Sequence, residues 1–192
     1  MKALIIYSHP NPKSFNAAIK EVVKEQLEQK GAEVRIRDLY AISFNPVLSA
    51  NDFETLNSGK IPEDIAREQA EIAWADLLVF ISPVWWLSVT AMLKGYIDRI
   101  FTQNFAFRYT HFGMEGLLKT KRALVFTTCG APEEYGGEKM MQVIKAQIIN
   151  GYCRMCGISD AKHFNCYGVP YVSDDARKQM LAELATFVAQ NA

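Results

Sequence analysis

The stretch 77–99, LLVFISPVWWLSVTAMLKGYIDR, constrains the fold more than any other part of the chain. Residues 77–81 are an unbroken apolar run ended by Ser82 and Pro83. A strand without a polar residue must be buried on both faces, which is the condition of an inner strand in a parallel sheet covered by helices on each side. A helical pattern is expected to resume at about Ser88, with Val89, Met92, Leu93, Tyr96, Ile97 and Ile100 on one stripe. Between strand and helix lie Pro83, Val84, Trp85, Trp86 and Leu87, an aromatic cluster at the carboxyl end of a central strand, where open α/β sheets bind their ligands. A flat ring is the ligand such a cluster suits.

The remainder of the chain repeats this grammar. Residues 3–7 read as a buried strand, and a loop with two prolines leads to Ser14, an N-cap for a helix carrying Phe15, Ile19, Val22, Val23 and Leu27 and stopped by Gly31. Val34 and Ile36 alternate with arginines in a second strand. Residues 39–61 have weak periodicity and read as a long surface excursion. Pro62 opens a helix with Ile65, Ile72 and Ala73 inward. Residues 103–119 read as an aromatic loop, 123–127 as a fourth buried strand, 139–155 as a helix, 161–166 as a fifth strand, and a last helix opens at Ser173 and runs to about Ala189. Five strands alternating with five helices predict an α/β doubly wound, flavodoxin-like three-layer sandwich with a five-stranded parallel sheet in the order 2-1-3-4-5.

Composition narrows the function classes. With 192 residues and 49% hydrophobic content, a single domain spanning 1–192 is the simplest organisation. The 21 basic and 21 acidic residues cancel, and no basic run supplies a local field, so no nucleic-acid partner is expected. No apolar stretch reaches the length of a membrane span and no leader is visible, so a cytoplasmic protein is expected.

In the predicted topology three loops meet beside the first and third strands. The first, ahead of Ser14, leads into a helix amino terminus that favours a phosphate, with His9, Ser14 and Asn16 as further donors. It has none of the glycines of a Walker or dinucleotide fingerprint, and an ordinary capped helix would explain the same residues. The second offers Trp85 and Trp86 for a flat ring, although two core tryptophans would read alike. The third, 127–137, offers Thr127, Thr128, close backbone approach at its glycines, and Tyr135 as the strong side-chain donor.

Taken together, Ser14-Phe15-Asn16 after a His-containing loop, Pro83 to Leu87 followed by LKGYIDRIF at 93–101, Phe105-Ala106-Phe107, and Thr127-Thr128 with Gly130 and Tyr135 closely resemble the NAD(P)H quinone dehydrogenases (DT-diaphorase-like) of flavodoxin-like fold. The resemblance runs from first strand to last helix. It implies a homodimeric flavoenzyme with its site at the dimer interface, FAD as cofactor with FMN the close alternative, NAD(P)H as co-substrate and a small quinone-like acceptor. Hydride would pass in ping-pong fashion from NAD(P)H through flavin N5 to that acceptor. By resemblance, His9, Ser14, Phe15, Asn16 and Ala18 form the flavin pyrophosphate site. Pro83, Val84, Trp85, Trp86 and Leu87 border one side of the isoalloxazine, and Thr127, Thr128, Cys129 and Gly130 the other. Tyr135 is the active-site tyrosine, and Val169, Arg177 and Leu181 hold the adenosine half. Two positions depart from the family pattern: Met141 stands where many members carry a histidine, and Cys129 where they carry a glycine.

Other functions share these features: an azo- or nitro-reductase, an ancillary subunit of a potassium efflux system, or a flavodoxin-type electron carrier. Balanced charge argues against the last, whose docking faces are acidic. Cys153 and Cys156 form a CxxC at the end of a helix, where the dipole disfavours a thiolate, and with His163 and Cys166 they match zinc ligands by type alone. Neither a metal site nor a disulfide is expected.

Overall fold

A computed structural model of the chain describes residues 1–134 and 138–192, Glu138 through its backbone. The elements are β1 (Lys2–Tyr7), α1 (Phe15–Gln29), β2 (Glu33–Asp38), α2 (Ala50–Asn57), α3 (Glu63–Trp74), β3 (Leu77–Pro83), α4 (Ala91–Ile100), β4 (Phe107–Thr110), β5 (Gly113–Gly116), β6 (Arg122–Thr128), α5 (Glu138–Lys145), β7 (Asp160–Cys166) and α6 (Asp174–Asn191). The main sheet runs β2-β1-β3-β6-β7 with every pairing parallel, which is the expected 2-1-3-4-5 order. Alternation along β1 divides the core. Leu4 and Ile6 join α3, α4 and α5 on one face, while Ala3, Ile5 and Tyr7 join α1 and α6 on the other. Every residue of β3 is buried, as its apolar run requires.

Five expectations need correction. The excursion 39–61 contains α2, whose Ser49 and Asp52 cap each other reciprocally. It is pinned to α4 by Arg99, only 3% exposed, which donates to both oxygens of Asp52 at 2.9 and 3.1 Å, to Asp64 at 2.6 Å and to the Asn45 carbonyl at 3.0 Å. Gly95 lets Pro46 approach: a Cβ there would stand 2.1 Å from the Pro46 carbonyl oxygen. The loop 103–119 holds the β4–β5 hairpin, its Phe107 and Tyr109 rings edge to face at 5.7 Å. In α3, Ala73 is exposed, and Glu68 and Gln69 take inner positions instead. Glu68 is satisfied there by Arg37 and the Tyr96 hydroxyl. Finally α4 starts at Ala91, capped by Thr90 Oγ1 on the Leu93 amide, because Ser88 is used in a turn. The helix expected over 139–155 is α-helical only to Lys145 and then widens into a π-helical segment, Ala146–Arg154.

Candidate functional site

At the carboxyl edge of the sheet, β1 and β3 part toward α1 and α4, and a polar knot fixes the divergence. The Ser8 amide donates to the Ile81 carbonyl at 2.9 Å. The Ser8 and Thr90 hydroxyls meet at 2.5 Å, and the Thr90 amide donates to Ser82 Oγ at 3.2 Å. Beside this knot lies a cleft of about 190 Å³ lined by His9, Ser14, Phe15, Asn16, Pro83, Val84, Trp85, Thr128, Cys129, Gly130, Val169 and Pro170.

One wall is the start of α1. Ser14 Oγ accepts from the Ala17 amide at 3.2 Å and contacts the Tyr7 hydroxyl at 3.2 Å. The first turn carries no acidic residue, whereas α6 begins with Asp174 and Asp175, so nothing on α1 itself competes with an anion for its free amides. His9 Nδ1 lies 3.0 Å from the Asn11 amide and 3.2 Å from its carbonyl, which fixes the ring in either protonation state. Burial holds the His9 imidazole below its ordinary range, against the opposing bond to Asn11. Asn16 is 3% exposed and donates from Nδ2 to Thr128 Oγ1 at 2.9 Å, tying α1 to β6. Its Oδ1 is buried with no partner among the described residues. An orphaned amide atom on a cleft wall fits a ligand that completes its bonding.

The opposite wall, Pro83, Val84 and Trp85, runs into a two-residue turn. Trp85 and Ser88 exchange backbone bonds at 2.9 and 3.1 Å, and both central residues are left-handed, Trp86 at φ 53° and Leu87 at φ 58°. Such hairpin turns ordinarily take Asn-Gly, and each bulky left-handed residue costs about 1–2 kcal/mol. Trp85 packs edge-on to His9 at 6.0 Å, while Trp86 is wholly exposed. Behind Thr128, the Thr127 hydroxyl lies 2.7 Å from His163 Nε2 and donates to Asn165 Oδ1 at 2.7 Å. Burial, and secondarily Lys145, holds His163 down at about 4, so it is neutral near neutral pH.

A family model described as flavodoxin-like fold matches residues 1–188. The chain belongs to this flavodoxin-like family. It is 37% identical over 190 residues to an uncharacterized NAD(P)H oxidoreductase of Haemophilus influenzae, covering 96% of this chain and 92% of that one. It is 34% identical over 202 residues to the ribosyldihydronicotinamide dehydrogenase [quinone] of Rattus norvegicus, covering 94% and 87%. The solved structure of Smu.1420 from Streptococcus mutans superposes with a TM-score of 0.90 at 35% identity, over 99% of this chain and 100% of that one.

Within this flavodoxin-like chain, His9, Ser14, Phe15, Asn16, Pro83, Val84, Trp85, Thr128, Cys129, Gly130 and Val169 are brought to one cleft. Ala18 bonds back to the Ser14 carbonyl at 3.3 Å, and Trp86, Leu87 and Thr127 lie off the lining. The Arg177 guanidinium is spent on the Val169 and Val172 carbonyls at 2.9 and 2.8 Å and on Asp174 at 2.6 Å. It therefore shapes the loop that presents Val169 and Pro170, and Leu181 packs in the α1–α6 core. Tyr135 lies outside the described residues. Pro170 is a lining residue the sequence reading passed over; its position after the fifth strand, at the same sheet edge, was the available signal. The Cys129 thiol is engaged, donating to the Ala131 carbonyl at 3.4 Å and accepting from the Asn165 amide at 3.4 Å. Burial pushes Cys153 up to about 12, Cys156 to about 11 and Cys166 to about 12, the chemistry of inert thiols. Cys153 and Cys156 also lie on the opposite side of the sheet from Cys166, which separates the zinc-like set.

Proposed function

We propose that the protein is a flavin-dependent NAD(P)H:quinone oxidoreductase, a single flavin-binding domain over 1–192 that works in the cytoplasm as a homodimer. The observation that carries this reading is the meeting, in one cleft, of an anion-receptive helix start, the orphaned Asn16 amide tied to Thr128, and the apolar rim of Pro83, Val84 and Trp85. Ser14, Phe15 and His9 would hold the flavin phosphate, with the α1 dipole favouring its charge. Asn16 and Thr128 would anchor the polar chain beside it. Pro83, Val84 and Trp85 would exclude water from the ring edge. When bound, the flavin supplies two-electron hydride exchange between NAD(P)H and the acceptor. Tyr135 is assigned the hydrogen bond to charge developing on the acceptor oxygen.

FAD is the preferred flavin, because Val169 and Pro170 extend the lining where an adenosine half would rest. The homodimer is favoured by the cleft's small volume, about 190 Å³. Ligand sites are typically about 300–1,000 Å³, so a second chain would complete the enclosure. Phe53, Ile61, Tyr109 and Met155 stand exposed on a separate groove of about 1010 Å³, apolar surface that a second chain could cover. Among the described residues no helix is long and apolar enough to cross a membrane. The test is steady-state oxidation of NADH and NADPH with a benzoquinone acceptor. Parallel double-reciprocal lines with flavin-loaded protein are expected, and no flavin-dependent turnover with any quinone would overturn the reading.

A further inference from the structure

The left-handed pair Trp86 and Leu87 persists only if its surroundings over-determine it. The entry arm is held, since the Val84 amide donates to the Thr128 carbonyl at 2.8 Å and Trp85 leans on His9. The exit arm is reached from the Ala146–Arg154 segment by one amide. Ser88 Oγ donates to Gln147 Oε1 at 3.2 Å, and Gln147 Nε2 donates to the Leu87 carbonyl at 3.5 Å. Gln147 is the second residue of the π-helical segment, directly before buried Ile148 and Ile149. Its backbone is thus fixed by the core while its side chain extends to the turn. Long π-helical runs are rare and tend to sit at functional positions, so a wide turn that begins where this contact is made is a second, independent observation.

We propose that the acceptor meets the cleft on its Trp85 side and that Gln147 is a positioning residue there, holding the Leu87–Ser88 arm and so fixing where Trp85 and Trp86 stand. This rests on the flavin reading for its catalytic consequence. The amide suits the task because the same group must accept from a hydroxyl and donate to a carbonyl. Leucine does neither, and glutamate can only accept.

The test uses the full-length, flavin-loaded protein and its Gln147→Leu, Gln147→Glu and Ser88→Ala variants. Loss of the clamp is expected to raise the acceptor KM about fivefold in Gln147→Leu, with kcat and flavin stoichiometry kept. Gln147→Glu falls between parent and Gln147→Leu, and the Gln147→Leu/Ser88→Ala double variant falls short of the product of the two single effects. A second readout needs no turnover. In a Trp74→Phe background, emission comes from Trp85 and Trp86, and Gln147→Leu is expected to speed its nanosecond depolarisation. Unchanged KM together with unchanged anisotropy decay overturns the proposal, as does strict multiplicativity of the single effects. If the parent takes up no flavin, the proposed function fails separately. The anisotropy arm then decides the clamp alone: faster decay supports it and unchanged decay overturns it.

Discussion

On the α1 wall of the cleft the backbone is ordinary: Ser14 caps, Asn16 crosses to Thr128, and the helix start lines the cleft. The facing wall, Pro83 to Trp85, leads straight into a turn in which Trp86 and Leu87 hold φ of 53° and 58° and whose tip is fully exposed. The first wall needs no unusual backbone and can favour charge through its helix start. The second is held from outside, by Gln147 and by the Thr127–His163 pair beneath its neighbouring strand. Binding and acceptor selection are thus assigned to walls with different mechanical character, and that division can be attacked from either side.

The largest effect is expected from His163. Unfolded, it takes a proton near its ordinary value of 6.5; folded, only near 4. The unfolded state therefore binds more protons as pH falls through this window. The contribution is fully present above about pH 6.5, and about 3 kcal/mol is lost by pH 4. Urea unfolding at pH 7, 5 and 4 should show this slope, and His163→Gln should flatten it; an equal slope in both proteins would remove His163 as the support under Thr127. Next, Asn16→Leu breaks the tie between α1 and β6, and should weaken flavin affinity by about 1–3 kcal/mol, read by fluorescence titration. Ser14→Ala should cost about 1 kcal/mol of stability by denaturant titration, the loss of a cap. The smallest effect is a gain. Leu87→Gly relieves one left-handed residue and should stabilise by about 0.5–1 kcal/mol after glycine's own entropy is counted. A destabilised Leu87→Gly would mean the two walls are less unlike than their backbones indicate.

The same contrast governs what could be read from sequence. Five strands and the start of α1 were legible because apolar runs and a Ser cap act locally, and strand order followed from connection rules. The helix α2 escaped because its face is anchored by a buried ion pair to Arg99 rather than by an apolar stripe, although Ser49 and Asp52 spelled its cap. The hairpin β4–β5 escaped because its strands are four residues each and largely exposed. Ala73 was misplaced because Glu68 and Gln69 are buried by partners remote in sequence, Arg37 and the Ile100 carbonyl. At the site, eleven of the residues named in advance line the cleft, whereas Trp86, Leu87 and Thr127 act from behind or beside it. A left-handed Trp-Leu pair and a π-helical turn are backbone states set by tertiary contacts, and no local sequence pattern announces them.

The central claim is that this cleft holds a flavin. The most direct measurement is the absorption spectrum of the purified protein, with bound flavin released and identified, followed by anaerobic addition of NAD(P)H. A flavin spectrum, FAD on release, and bleaching by NAD(P)H are expected. A colourless protein that binds neither added FAD nor added FMN would contradict the claim.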